Sequence, residues 1–289
     1  MQGVDHYENF PVASWLCPQK WRQPIAAIYH FARTADDLAD EGDATANERL
    51  ASLAQYRADL QQACQSSATQ SARWPQVFVP LAKAVSTHQL PLQPMLDLLD
   101  AFEQDVRYTA SQARYANEAE LLDYCRRSAN PVGRLLLHLY GVNDTDSLAQ
   151  SDDICTALQL INFWQDLGQD LQRNRHYLPI DLLEKYHLST EALCGAALPA
   201  ASTEAASAMV KELCEAAQAR MLAGAGLAVR LPGRVGWELR LVVQGGLQVL
   251  QRIRQLQYRT WQVRPKLHGY DVPIMLWRAA WMASARLQS

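Results

Sequence analysis

Gln159-Leu-Ile-Asn-Phe-Trp-Gln-Asp-Leu-Gly-Gln-Asp170 carries two patterns at once. Gln159, Asn162, Asp166 and Asp170 recur at intervals of three and four residues, and Arg173 and Tyr177 continue the series. At roughly 100° per residue these polar groups share one stripe of an α-helix. Leu158, Ile161, Trp164 and Leu171 fall on the other side, so the helix is packed along at least one face. Apolar residues recur at helical spacing nearly everywhere else, and runs of alternating β-branched residues that would mark strands are missing. The chain is therefore expected to be all-α.

Working outward, helices are expected near 23–40, 47–64, 76–88, 92–108, 117–128 and 131–140. Gly42-Asp43 supplies the stop signal of the first. Ser151-Asp152-Asp153 resembles an N-cap with an acidic first turn, opening a helix that reaches Arg173. Further helices are expected near 203–229, 234–262 and 272–286. The polar segment Gln65–Ala72 reads as a surface loop, not a linker, because the flanking helices share one pattern. No repeat or low-complexity tract divides the chain, so residues 1–289 are expected to form a single domain around one cavity.

The composition is that of an ordinary globular protein: 49% apolar, 20% charged, with a net charge of −3. That balance gives no general pull toward nucleic acid, which is not expected as a partner. The six cysteines are far apart, with no Cys-x-x-Cys pair and no histidines at zinc-ligand spacing. They read as reduced cysteines of a cytoplasmic protein. The first residues, acidic and with only a short apolar stretch, do not resemble a signal peptide, and no apolar run reaches the roughly 20 residues needed to span a bilayer.

A second polar stripe lies near the N-terminus, where Tyr29, Arg33, Asp36 and Asp40 follow i, i+4, i+7, i+11 spacing. Alone it reads more readily as a solvated acidic helix end. The stripe at Asp166 and Asp170 changes its weight. Like-charged carboxylates at i, i+4 repel, so something should neutralise them. Two facing pairs plus the Asn162 amide supply hard oxygen ligands suited to Mg²⁺, which takes one or two carboxylates per ion and fills other positions with water and substrate phosphate. Paired aspartate stripes thus point to a diphosphate site. Neither stripe holds a histidine or cysteine, which disfavours a transition metal. His30 is rotated away from the stripe and reads as a core or surface residue.

These residues resemble a known family. Asp36-Asp37-Leu-Ala-Asp40 and Asp166-Leu-Gly-Gln-Asp170 look like the two Asp-x-x-x-Asp motifs of the squalene/phytoene synthases. The likeness runs from His6-Tyr-Glu-Asn-Phe10 to about Tyr258. It includes Ala27-Ile-Tyr-His-Phe-Ala-Arg33, Tyr124-Cys-Arg-Arg-Ser-Ala-Asn-Pro-Val-Gly133 and Asn174-Arg-His-Tyr-Leu-Pro179. The resemblance implies an isoprenoid synthase fold, a helical bundle around a deep apolar cavity with two or three Mg²⁺ ions at its mouth. It implies that Asp36, Asp40, Asn162, Asp166 and Asp170 hold metal. Arg33, Gln159, Arg175 and Tyr177 would surround the diphosphate. Tyr29 and Tyr258 would face the reacting carbons, where aromatic rings stabilise cations; core packing is the other reading for any single tyrosine. His6, Glu8, Asn9, Phe10 and Tyr124 are further substrate-binding candidates. Asn130-Pro131-Val132-Gly133 would interrupt a helix. In the family such a break lines the cavity, and a simple helix end is the alternative.

Condensing members, which join two prenyl diphosphates, usually carry Ser-Lys-Ser-Phe or Ser-Arg-Ser-Phe where this chain has Tyr7-Glu8-Asn9-Phe10. Many also have arginine where this chain has Gln165. A cation suits a second diphosphate, whereas Glu8 would repel one. His6–Ser14 and Asn162-Phe-Trp-Gln-Asp166 resemble instead the hydroxysqualene-forming members of bacterial hopanoid pathways. Such an enzyme takes presqualene diphosphate, lets Mg²⁺ draw off the diphosphate, and admits a water to capture the rearranged cation. Glu8 or Asn9 would help to hold that water. No NADPH is expected. The competing readings are head-to-head condensation of farnesyl or geranylgeranyl diphosphate and a helical scaffold without catalysis. The aromatic-apolar stretch Tyr270–Met282 is expected to pack into the bundle, with peripheral membrane contact as the alternative.

Overall fold

The computed structural model describes residues 17–65, 71–195 and 198–284, and among them it has helices and no strand. In chain order the helices are α1 Gln19–Asp40, α2 Ala46–Gln65, α3 Pro75–His88, α4 Leu92–Ser111, α5 Glu118–Ser128, α6 Asn130–Tyr140, α7 Thr145–Gln172, α8 Ile180–Lys185, α9 Thr190–Cys194, α10 Ala200–Gly224, α11 Gly226–Arg230, α12 Gly233–Gln255 and α13 Val272–Ser284. The fold is all-α, as the periodicity requires. His6, Glu8, Asn9 and Phe10 lie outside the described residues, as does most of the loop expected after α2.

Apolar faces meet in two clusters. One joins α1 to α4 and the inner side of α6, where Phe31 and Tyr56 stack and Phe78 lies against both rings. The Tyr56 hydroxyl donates to the Phe31 carbonyl, which satisfies the one polar atom that this aromatic group brings inside. The other cluster gathers α5, α7, α10, α11 and α12 around Trp164 and Leu158. Burying a side chain of this size contributes about 1.5–3 kcal/mol. Helix α7 therefore has its apolar side committed to the second cluster, which fixes the direction of its polar stripe.

Several boundaries differ from the expected ones. Helix α7 begins at Thr145, not Ser151, because Asp144 caps it by accepting from the Ser147 amide at 2.9 Å. Asp152 and Asp153 bind Arg134 and Arg220 instead. The expected helix 203–229 breaks at Ala225 into α10 and α11, and that expected near 234–262 stops at Gln255. Gln257 and Tyr258 then take left-handed backbone conformations, which turn the chain back. Pro131 stands in the first turn of α6, just after a break at Ala129. Gly133 faces the Ser151 and Cys155 side chains so closely that a Cβ would lie 2.4 and 2.7 Å from their Oγ and Sγ.

The C-terminal stretch departs most from expectation. Ala279 is fully buried against α12, but Trp277 and Trp281 are 62% and 57% exposed. Packing into the bundle thus accounts for only one side of α13.

Candidate active site

A cavity of about 650 Å³ opens between the two apolar clusters. Its apolar wall comes from Ile25 and Ile28 of α1, Phe102 of α4, Leu136 of α6, Leu158 of α7 and Leu239 of α12. The first turn of α6, which follows the break at Ala129, contributes Val132 and Gly133 to the lining. This volume lies within the ~300–1,000 Å³ range of sites that enclose small organic ligands.

The polar end follows from the two stripes. Along α1 the lining runs from Ile25 through Tyr29 and Arg33 to Asp36, and along α7 from Ile154 through Gln159 and Asn162 to Asp166, Gln169 and Arg173. Both helices change from apolar to charged toward their C-terminal ends. Those ends meet, because Arg175, just past α7, binds Asp40, the last residue of α1. A helix C-terminus carries roughly half a negative charge and favours cations. Yet α1 and α7 both place aspartates there and neither has a basic residue in its last turn. Such a concentration of negative charge opposes stability and calls for positive charge from elsewhere.

Three arginines supply it. Arg33 lies 3.1 Å from Asp36, 2.8 Å from Asp37 and 3.4 Å from Glu41. Arg175 holds Asp40, and Arg264 holds Asp166 through Nε and Nη2, the latter 3.1 Å from Oδ2. Burial, then the Asp166 charge, pushes the Asp170 carboxyl up to about 7. Guanidinium groups thus supply positive charge to Asp36, Asp40 and Asp166.

Whether divalent ions also fit follows from the donor set. Among the described residues no three histidine, cysteine or acidic groups converge to hold a metal by protein ligands alone. Mg²⁺ does not require that, since it keeps waters and shares phosphate oxygens with one or two carboxylates. Asp36 and Asp166 line the polar end, with the Asn162 amide beside them and Asp40 and Asp170 one turn further along. These hard oxygen donors would fit Mg²⁺ shared with a diphosphate, and the guanidinium groups of Arg33 and Arg264 beside them suit the diphosphate itself.

Other expected residues lie elsewhere. Tyr29 and Gln159 do line the cavity. Tyr124, Tyr177 and Tyr258 are not among its lining residues. Tyr177 stacks on Phe163 at 3.8 Å in a buried aromatic group with Tyr115 and Tyr124. The Tyr124 hydroxyl donates to Asp105 at 2.7 Å. Tyr258 packs part-buried against the second cluster, just past the end of α12. Burial pushes the Asp105 carboxyl up to about 7, opposed by the Tyr124 hydrogen bond and the charge of Arg175.

Two residues escaped the sequence reading, Arg264 in the cavity lining and Asp105 beside it. Asp105 lies on α4 without a partner at motif spacing. Arg264 lies in the irregular segment that follows α12. That segment is laid along α7, where Gln165 Nε2 donates to the Pro265 carbonyl at 2.9 Å. Gly168 lets it approach, since a Cβ there would meet the Trp261 carbonyl oxygen at 2.6 Å. Glycine at position 168 was the available signal, and it says where a backbone passes but not which residue it delivers.

Sequence and structure place the chain among known proteins: it belongs to the squalene/phytoene synthase family, which it matches over residues 4–271. The hydroxysqualene synthase of Zymomonas mobilis is 42% identical over 188 residues, covering 64% of this chain and 59% of the relative. That of Rhodopseudomonas palustris is 40% identical over 178 residues, covering 61% and 56%. The matches with these curated relatives thus span less than two thirds of their length. A crystal structure of squalene synthase HpnC from Alicyclobacillus acidocaldarius superposes with a TM-score of 0.75 at 33% identity, covering 88% of this chain and 90% of that one. A dehydrosqualene synthase structure gives 0.81 at 20% identity over 97% and 93%, a likeness of fold. No helix among the described residues is long and apolar enough to cross a membrane.

Proposed function

We propose that this protein converts presqualene diphosphate and water to hydroxysqualene and diphosphate. The observation that carries the reading is the meeting of two aspartate-bearing helix ends at the polar end of one apolar cavity. The likeness to hydroxysqualene synthases supports the choice of reaction. In this reading the hydrocarbon of the substrate fills the wall formed by Ile25, Ile28, Leu136 and Leu158, and its diphosphate lies against Arg33, Gln159 and Arg264. Asp36, Asp40, Asn162, Asp166 and Asp170 would hold two or three Mg²⁺ ions. Bound there, Mg²⁺ would act as a Lewis acid on the leaving diphosphate.

The chain's own residues set the rest. The arginines compensate the charge that develops on the departing oxygen as the carbon–oxygen bond breaks. The Tyr29 ring lies at the junction of wall and mouth, where its face stabilises a carbocation. The apolar wall excludes stray water while the carbon skeleton rearranges. Capture by one water then forms the new carbon–oxygen bond and releases a proton. Glu8 or Asn9 is our candidate for holding that water. No reductant enters the balance.

The test supplies purified protein and Mg²⁺ with presqualene diphosphate alone, and separately with farnesyl diphosphate alone, each with and without NADPH. Hydroxysqualene from the first substrate only, unaffected by NADPH, is the expected result. Turnover of farnesyl diphosphate would establish condensation instead. Activity unaltered in Asp36→Asn and Asp166→Asn would dismiss both.

A further inference from the structure

Large apolar side chains on the surface of a soluble domain are normally scattered. Here they gather: Val263, Tyr270, Val272, Ile274, Leu276, Trp277 and Trp281 are all exposed. Helix α13 explains the pattern. Its inward side is Met275, Ala279 and Met282, of which Met275 approaches Gly245 and Met282 receives the Gln244 amide. Its one charged residue, Arg278, is turned onto α12, where it donates to Gln248 and Gln251 at 3.2 Å. The outward side is consequently Val272, Pro273, Ile274, Leu276, Trp277, Ala280 and Trp281, with no polar residue among them. A surface helix ordinarily shows water its charged face, so this one is the wrong way round for water. The Trp277 and Trp281 rings sit 6.1 Å apart at the exposed edge.

Charge indicates what would cover that side. Residues 252–284 carry six Lys or Arg and one acidic residue, Asp271, in a chain whose net charge is −3; Arg252 pairs with Asp271 and Arg264 with Asp166, which leaves Arg254, Arg259, Lys266 and Arg278 as the segment's excess positive charge. Asp271 is 2% exposed and is bound by Arg252 at 2.5 Å and Gln248 at 2.8 Å, so it presents no negative charge outward. A second copy docked two-fold on this surface would bring the same excess positive charge against itself, which is repulsive. An anionic lipid headgroup layer would complement them. Tryptophan suits the boundary between headgroups and acyl chains, with an apolar ring and one polar N–H. At 1.5 Å per residue a helix of 13 residues is about 20 Å long, too short to span and suited to lying in that boundary.

We propose that the outer side of α13 docks this protein on an anionic lipid surface, with Trp277 and Trp281 entering the interface. The proposal concerns attachment alone and is independent of which reaction the cavity performs.

The test mixes the full chain with vesicles of phosphatidylcholine alone and of equal parts phosphatidylcholine and phosphatidylglycerol, and measures co-sedimentation. Binding to the mixed vesicles only, weakened by high salt, is expected. Trp277→Ser with Trp281→Ser should lower the affinity by about tenfold or more, while Trp277→Phe with Trp281→Phe keeps most of it. Both pairs stand at exposed positions, and unchanged circular dichroism and Tm would verify that the fold is kept. Absence of binding, equal binding by the serine pair, or a dimer in gel filtration that the serine pair dissolves would each overturn the proposal.

Discussion

Arg264 reaches across ninety-eight positions of sequence to grip Asp166, its Nη2 3.1 Å from Oδ2. The pair joins the C-terminal part of α7 to the segment laid over it and puts a cation at the polar end of the cavity. Both partners are partly exposed, so the pair itself contributes little to stability, of the order of 1 kcal/mol or less. Its value lies in the site. Arg264→Ala is therefore expected to leave Tm within a few degrees while lowering kcat/KM for presqualene diphosphate by about 10- to 100-fold, the cost of one charged hydrogen-bonding contact. Arg264→Lys keeps the charge but not the two-pronged geometry and should fall between. Steady-state kinetics beside a melting curve separates the two effects, and an equal loss of stability and activity would mean that Arg264 is merely structural.

Gly168→Ala probes the same contact from the other partner. The added methyl would meet the backbone carbonyls of Trp261 and Thr260 at 2.6 and 3.2 Å, and neither can rotate aside as a side chain would. Overpacking of this kind costs about 1–3 kcal/mol. The segment should lift from α7 and carry Arg264 off Asp166. Both Tm and kcat/KM are expected to drop, unlike the Arg264 variants, in which Tm holds.

These residues show how far the sequence could be read. The aspartate stripes were legible because a helix fixes the direction of residues three and four apart, and the apolar faces of α1 and α7 fix where each stripe points. Arg264 was not, since it belongs to an irregular segment whose path depends on Gly168 and on the Gln165 side chain binding Pro265. Tyr177 continued the α7 pattern in sequence, but the helix ends at Gln172 and Asn174 takes a left-handed conformation, so Tyr177 leaves the stripe for a stack on Phe163. Ser151-Asp152-Asp153 has the composition of a helix start. Two distant arginines, Arg134 and Arg220, bind its acids within α7 instead.

Divalent metal should act on the arginine pairs directly. Asp40 is held by Arg175 and Asp166 by Arg264, so ions that take these carboxylates must compete with guanidinium groups. Chelation with EDTA is expected to abolish turnover, and Mg²⁺ to restore it. In Asp40→Asn the ion loses one anionic ligand, which should raise the Mg²⁺ concentration for half-maximal rate by about tenfold or more at saturating substrate. A rate that survives EDTA would remove the metal from the proposed reaction.

Asp105 offers a test that needs no substrate. Its carboxyl stands at about 7 in the folded chain against an ordinary value of 3.8, chiefly through burial. The folded state therefore keeps this proton to a higher pH than the unfolded state does. Stability from that source is complete below about pH 4 and is lost as pH rises toward about 7. Asp105→Asn cannot ionise, yet its amide oxygen still accepts from the Tyr124 hydroxyl, so the hydrogen bond of 2.7 Å has a replacement. Melting curves in EDTA from about pH 5 to about pH 8 should show the wild-type Tm declining relative to that of the variant, with the difference levelling off above about pH 7. Parallel curves would mean that Asp105 ionises at its ordinary pH, and that the negative charge beside Arg175 is present throughout.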